Sequence, residues 1–205
     1  TDGVLDPKFN DDAQNPVAYR SATAFIRVTP VNDPPVNSIN GDSNFANAPA
    51  LATNEDTPIT LSTALGRTLT VNDLDIADVE GNDDLLVTLN ATNGTIAVVT
   101  SGAALIGGDG TASVTVQGTR AQIAAALDGL VFTPNQDYNS TINVANPALI
   151  VMTTNDMGNF GAGGQLTDTD TLTITVNAVN DDPVNSVPGA TQTLREARNR
   201  DAFLV

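Results

Sequence analysis

The sequence predicts an all-β protein, an antiparallel β-sandwich that belongs to a tandem array of similar units. Apolar and polar residues alternate in short runs, and turn sequences rich in glycine and asparagine separate these runs. An eight-residue motif also occurs twice, about one domain length apart. Alternation with a period of two places apolar side chains on one face of a strand and polar side chains on the other. Each strand is therefore expected to have one buried face.

Five alternating runs mark the expected strands in chain order. Their apolar positions are Ile59 and Leu61; Leu69 and Val71; Leu85, Val87 and Leu89; Val114 and Val116; and Leu172, Ile174 and Val176. In the last run the apolar residues alternate with threonines, which face water in the expected half-exposed sheet. Turn sequences occur at residues 93–94, 107–110 and 161–164. This pattern favours a sandwich with Ig-like or cadherin-like topology.

One segment departs from the two-residue period. Residues 119–128 begin with a capping box formed by Thr119 and Gln122, and they carry Ile123 and Leu127 one helical turn apart. Gly129 follows at the position where helices commonly end. These features predict a short helix at about 119–128 that crosses between the two sheets. Because so short a helix is marginal alone, we expect it to pack on the sandwich.

The repeated motif sets the expected domain boundaries. It reads Val-Asn-Asp-Pro-Pro-Val-Asn-Ser at residues 31–38 and Val-Asn-Asp-Asp-Pro-Val-Asn-Ser at residues 179–186. Residues 1–33 are interpreted as the C-terminal part of a preceding repeat, residues 34–182 as a complete repeat, and residues 183–205 as the start of the following repeat. Residues 39–54 lack periodicity and exceed their counterpart in the next copy in length, which predicts a loop.

The composition excludes several classes of function. The chain has 24 acidic and 8 basic residues and a formal charge of −16, which repels phosphate backbones and anionic membrane surfaces, so no nucleic-acid partner is expected. It has neither cysteine nor histidine, which removes thiolate and imidazole chemistry. No apolar run is long enough to span a bilayer, so we expect no membrane insertion in this segment. Bound divalent cations would relieve the repulsion between carboxylates, and we expect Ca²⁺.

An ordered series of acidic motifs carries a resemblance to a known family. The series comprises Asn54-Glu55-Asp56-Thr57-Pro58, Thr70-Val71-Asn72-Asp73-Leu74-Asp75, Thr153-Thr154-Asn155-Asp156, Thr167-Asp168-Thr169-Asp170-Thr171 and Val179-Asn180-Asp181. It resembles the cadherin-like repeats of giant bacterial surface adhesins, the RTX-type proteins exported by type I secretion. The resemblance covers the complete repeat and both flanking fragments. It implies calcium-binding sandwiches in series, in which calcium at the joints stiffens a stalk that carries an adhesive tip.

The residues also predict where calcium would bind. Calcium takes six to eight oxygen ligands, which several converging loops can supply. We expect one site at the upstream end of the complete repeat, where the linker and the first two strands would meet, with the ligands Asn32, Asp33, Glu55, Asp73 and Asp75. The second joint would repeat the arrangement with the ligands Asn180, Asp181 and Glu196.

Four further acidic residues have two open interpretations. Asp78 belongs to a charge run, for which a solvated loop and a second ion site are both open. For Asp156, Asp168 and Asp170, local turns or outward strand positions compete with metal ligation.

We therefore expect a structural spacer of an extracellular bacterial protein, which serves cell adhesion or biofilm formation. Its partners would be the neighbouring repeats of the same chain. Two alternatives remain open: a module that binds glycans or another cell surface, and a subunit that pairs with identical chains in a filament or sheath. We expect no enzyme activity, because no acidic pair has the spacing of an active site and the acidic set recurs at both joints.

Overall fold

The computed structural model describes residues 26–75, 84–100, 104–158 and 161–183. Within these ranges the chain forms a β-sandwich with one α-helix, α1 (Arg120–Leu127), and two short 3-10 helices at Phe45–Asn47 and Thr63–Leu65. The strands are β1 (Val36–Ile39), β2 (Leu51–Asn54), β3 (Ile59–Leu61), β4 (Leu69–Asn72), β5 (Leu85–Thr92), β6 (Gly94–Ala97), β7 (Leu105–Gly107), β8 (Ser113–Gly118), β9 (Leu130–Pro134), β10 (Ala148–Asn155) and β11 (Thr167–Asn177). The all-β prediction is confirmed, and each of the five alternating runs forms a strand.

Two layers of strands face each other. One layer is a six-stranded sheet with the order β2-β11-β10-β5-β8-β7, antiparallel except for the parallel pair of β2 and β11. The other layer consists of the pair β1-β4 and the three-stranded sheet β3-β9-β6. β1 lies over β10 and β11, while β6 lies over β5 and β8. The core fills the space between these layers.

The core is mainly aliphatic, as the scarcity of aromatic residues requires. Alternate residues of β5, β10 and β11 point inward and are buried, in agreement with the two-residue period. Phe132 on β9 is fully buried, and Tyr138 is 7% exposed with its hydroxyl donating to the carbonyl of Asn146 at 2.9 Å. Most of the buried side chains come from the facing strands, and α1 adds Ile123, Ala126 and Leu127.

The helix α1 crosses between the layers as predicted. Its capping box is present: the Thr119 hydroxyl accepts from the Gln122 N–H at 3.3 Å, and the Gln122 side chain accepts from the Thr119 N–H at 2.9 Å. Ile123, Ala126 and Leu127 are fully buried. The helix packs against β4 and β8 and connects the six-stranded sheet to β9 in the opposite layer.

The prediction of a loop over residues 39–54 is wrong at its end. Residues 51–54 form β2, which pairs in parallel with β11 through Leu51 opposite Ile174 and Asn54 opposite Asn177. Four residues are too few to give a periodic sequence pattern, and pairing with a distant strand decides their conformation. The residues before β2 include the 3-10 helix at Phe45–Asn47, whose phenylalanine is buried.

The repeated sequence offers a matched pair of substitutions that separates burial from residue type. Ile174 is fully buried, whereas Ile26, which occupies the same place relative to the first motif, is 88% exposed. We expect Ile174→Ala to lower the free energy of unfolding by about 2–5 kcal/mol, because it removes buried methyl groups and leaves a cavity. Ile26→Ala should change it by less than about 0.5 kcal/mol. Urea unfolding measures both, and equal effects would contradict the assignment of residue 26 to a position outside the core.

Candidate functional site

Acidic side chains gather at both ends of the sandwich. The strand β11 has eleven residues and runs from one end to the other, which at about 3.3 Å per residue separates the ends by roughly 35 Å. We call the end where β11 begins the upstream end, because the linker before β1 arrives there. The end where β11 finishes is the downstream end. The two groups of acidic residues are therefore separate in space.

The upstream cluster consists of Asn32, Asp33, Asp73, Asp75 and Asp156. Asp73 and Asp75 follow the end of β4, and Asp156 follows the end of β10. The Asp33 N–H donates to the Asp75 carboxylate, and the Asn32 amide donates to Asp156 Oδ2 at 2.5 Å. Antiparallel pairing of β1 with β4 places the linker beside the exit of β4, because Val36 lies opposite Asn72. Three separate chain segments thus meet at this end.

Asp73 is the unusual residue of this cluster. Its side chain is 2% exposed, and Oδ1 accepts from the Asp75 N–H at 2.9 Å. Its other oxygen, Oδ2, is buried and has no hydrogen-bond partner. Removing a carboxylate oxygen from water without a compensating partner is unfavourable. An oxygen in this state is suited to bind a cation.

Burial raises the pKa of Asp73 above its ordinary value. The neighbouring carboxylates of Asp156 and Asp75 raise it further, while the hydrogen bond from the Asp75 N–H and the charge of Arg120 lower it. The Arg120 guanidinium donates to the Asn72 side chain at 2.8 Å and to the Asp73 carbonyl at 3.0 Å. One guanidinium beside the four carboxylates of this cluster leaves excess negative charge at this end.

The downstream cluster consists of Glu55, Asp56, Asp137 and Asp181. Carboxylate oxygens of the three aspartates lie within 4.8 Å of one another, and these side chains are exposed. The Asp137 N–H donates to Asp56 Oδ1 at 3.2 Å. The pKa of Asp137 is raised, first by lost hydration and then by the charges of Asp56, Asp181 and Glu55. The neighbouring carboxylates therefore oppose the ionisation of Asp137.

Glu55 is the buried member of the downstream cluster. Its side chain is 5% exposed and accepts from the Val179 N–H and, at 3.3 Å, from the Asn139 amide. Its own N–H donates to the carbonyl of Asn177, the last residue of β11. Glu55 thus contacts the chain as it leaves the sandwich.

The prediction that Glu55 joins Asn32, Asp33, Asp73 and Asp75 is wrong. The predicted site requires Glu55 to lie at the entrance of the first strand, beside the linker. In the structure it follows β2, which runs parallel to β11 and ends beside the end of β11. Parallel pairing carries Glu55 to the downstream end.

The other predicted residues are distributed as follows. Asn180 lies at the downstream end, where its amide donates to the Asp181 carbonyl at 3.2 Å. Asp168 and Asp170 lie on β11 beneath β1, and Asp168 Oδ2 accepts from the Asn37 N–H at 2.7 Å. Desolvation raises the pKa of Asp170. Metal ligation by these two aspartates stays a prediction, while Asp78 and Glu196 fall outside the described residues.

Two residues of the downstream cluster are not predicted from the sequence. Asp56 lies within the motif at residues 54–58 but is not among the predicted ligands, and neither is Asp137. Asp137 lies in the turn after β9 and adopts a left-handed backbone with φ of 56°. The sequence Pro134-Asn135-Gln136-Asp137 is typical of a turn, but nothing in it indicates which end of the molecule the turn occupies.

Comparisons with known proteins add no family assignment. A scan against models of known protein families and a search of curated proteins both find no match to this chain. In the part of the chain that the structure describes, no helix is both long and apolar enough to cross a membrane.

The raised pKa of Asp73 predicts a gain in stability when its charge is removed. A carboxyl that binds its proton more tightly in the folded chain contributes more stability as the pH falls through its folded pKa toward its ordinary value. In calcium-free buffer at pH 7, Asp73→Asn should therefore raise the melting temperature. The gain over wild type should shrink as the pH falls toward 4, which thermal melts at several pH values measure.

Asp42→Asn is the matched control because it removes the same charge. The pKa of Asp42 is lowered by hydrogen bonds from the Asn44 N–H and the Asn47 side chain, so its ionised form is favoured in the folded chain. This substitution should not raise the melting temperature at pH 7. A similar increase from both variants would mean that net charge, and not the burial of Asp73, is responsible.

Proposed function

We propose that the chain is a calcium-stabilised spacer module of an extracellular bacterial adhesin, one of several in series along a stalk for cell adhesion or biofilm formation. The acidic clusters support this proposal by their position. A sandwich in a tandem array meets its neighbours at its two ends, and each end carries converging carboxylates. Within the described residues, the clusters lie where the chain enters and where it leaves.

The single observation that carries the proposal is the buried, unpartnered Oδ2 of Asp73. Calcium prefers several carboxylate and carbonyl oxygens, and the side chains of Asp33 and Asp75 provide additional ones at this end. At the downstream end, Glu55, Asp56, Asp137 and Asp181 form a second set of oxygen ligands. Both ligand sets lack the nitrogen and sulfur that zinc favours.

The exposure of the first fragment supports the proposed array. Ile174 and Val176 are fully buried in β11. Their counterparts before the first motif, Ile26 and Val28, are 88% and 83% exposed. Exposed β-branched residues at these positions suit the last strand of a preceding sandwich. In β11 of the complete repeat, the alternating threonines face solvent while Ile174 and Val176 face the core.

The arrangement of strands supports the finer assignment to an Ig-like, cadherin-like topology. Two layers pack face to face, and the chain crosses between them repeatedly, including at the Asn93 turn and at α1. The early strand β2 pairs in parallel with β11, the last of the described strands, so both run toward the downstream end along one edge of the six-stranded sheet. The polypeptide therefore enters and leaves at opposite ends, as an array in series requires.

The proposed mechanism is mechanical. Without a cation, carboxylates at a joint repel one another across a few ångströms, and the joint bends freely. A cation held by residues from both sides of the joint restricts that bending. Extracellular calcium is abundant enough to occupy sites with dissociation constants of about 10⁻⁴–10⁻³ M, as extracellular calcium modules typically have.

Calcium should raise the thermal stability of the 205-residue chain. Binding to the folded state alone contributes about 2.7 kcal/mol at a free calcium concentration a hundredfold above the dissociation constant. Differential scanning calorimetry with calcium, with magnesium and with a chelator measures the shift. A melting temperature that is the same in all three buffers would contradict the proposal.

Substitutions at the two ends should separate the two sites. Asp73→Asn should weaken calcium binding at the upstream end and leave the downstream end unchanged, and Asp137→Asn should do the reverse, because roughly 35 Å separates them. Backbone amide shifts during a calcium titration report each end, with Asp75 as the upstream probe and Val179 as the downstream probe. If either variant abolished the calcium response at both probes, two independent sites would be excluded.

A further inference from the structure

The linker before β1 lies along the loop that joins β10 to β11. The Asn32 N–H donates to the Ala162 carbonyl at 3.1 Å, and the Ala162 N–H donates to the Pro30 carbonyl at 3.0 Å. Val31 and Ala162 thereby form a parallel β-bridge. The linker is thus paired with the sandwich through its backbone before the first strand begins.

The side chain of Asn32 adds a second set of contacts. It is 7% exposed, and its amide donates both to Asp156 Oδ2 at 2.5 Å and to the Gly164 carbonyl at 2.8 Å. The other oxygen of Asp156 accepts from the N–H groups of Gly158 and Leu166 at 2.9 and 2.8 Å. One carboxylate therefore holds both arms of the loop and the linker together.

The close approach of linker and loop depends on Gly161. A Cβ atom at this position would lie 2.5 Å from the Asn32 nitrogen and 2.7 Å from the Val31 carbonyl carbon, which is closer than real contacts allow. Its φ of +85° is also unfavourable for other residues. Gly164 has a similar φ of +78°, but a Cβ there would meet nothing within 4 Å. Only the first of these glycines is required by the linker.

We infer that the linker is a docked part of the module that follows it, held by a latch of Asn32, Asp156, Gly161 and Ala162 that needs no cation. All of its contacts join protein groups to protein groups. The latch fixes the direction in which the chain enters the sandwich.

The downstream end has a different construction. The chain leaves β11 through Val179, whose N–H donates to the Glu55 carboxylate, and residues 180–183 are exposed. Asn180 has the same place in the second motif as Asn32 in the first, so in an array it would dock on the following module. Docking of Asn180 on the following module, which rests on the proposed spacer function, places the bend of each joint between residues 177 and 180. The downstream cluster would then control bending, since Asp181 moves with the following module.

Amide hydrogen exchange of the full 205-residue chain, measured by NMR, tests the latch. Gly161→Ala should speed the exchange of the Asn32 and Ala162 amides by about tenfold or more, because the added methyl group displaces the linker. Gly164→Ala introduces the same backbone strain without the clash and should leave these amides protected. If both variants exchange alike, or if the two amides are unprotected in the wild type, the latch does not exist.

A second pair of variants avoids the risk that Gly161→Ala fails to fold. Asn32→Ala removes the buried amide and should accelerate exchange at Ala162, while Asn180→Ala removes the exposed amide at the equivalent motif position and should not. Equal exchange at Ala162 in both variants would overturn the inference.

Calcium removal separates the latch from the proposed function. With a chelator, the Asn32 and Ala162 amides should stay protected, while the Val179 amide should exchange faster. Loss of protection at all three would show that the latch depends on calcium and would overturn the inference. If no amide responds to calcium, the spacer function fails, and the glycine comparison still decides the latch.

Discussion

Mutual repulsion of carboxylates is the constraint on which the rest of this molecule depends. The sandwich has an ordinary aliphatic core that fixes the positions of the strand ends. Acidic side chains lie at those strand ends. The side chain of Asp73 is buried at the end of β4, and its Oδ1 accepts from the Asp75 N–H. A rigid scaffold of this kind cannot relax the repulsion by moving, so a counter-ion remains the physical remedy.

The sequence allowed the strands, the crossing helix and the acidic character of the ends to be predicted, because each depends on local pattern. Alternation in β11 and the capping box at Thr119 are properties of neighbouring residues. Whether Glu55 joins the upstream or the downstream cluster depends instead on which strand β2 pairs with, and in which direction. The four residues of β2 do not encode that choice. Glu55 would lie at one end of the sandwich if β2 paired antiparallel with its neighbour and at the other end if it paired in parallel. Asp137 could not be predicted either, since the sequence of its turn does not indicate which end of the sandwich the turn occupies.

The two ends of the sandwich solve the same electrostatic problem differently. At the upstream end the acids are partly neutralised by protein donors: backbone N–H groups approach Asp75 and Asp156, and the Asn32 amide joins them. At the downstream end three aspartates are exposed and close together; Glu55 receives two donors, whereas Asp56 receives the Asp137 N–H at 3.2 Å. Water and salt screen exposed charges more effectively than buried ones. The downstream carboxylates are therefore more sensitive to ionic conditions.

The parallel pairing of β2 with β11 has a consequence for a chain under tension. A pull on the two ends of the repeat tends to slide these strands past each other along their length. Four residue pairs, from Leu51 with Ile174 to Asn54 with Asn177, then resist together, instead of opening one after another as in a peeled hairpin. Forced unfolding is governed by the rate at which such a group of bonds breaks at once. This edge of the six-stranded sheet would therefore resist shear when the chain is pulled.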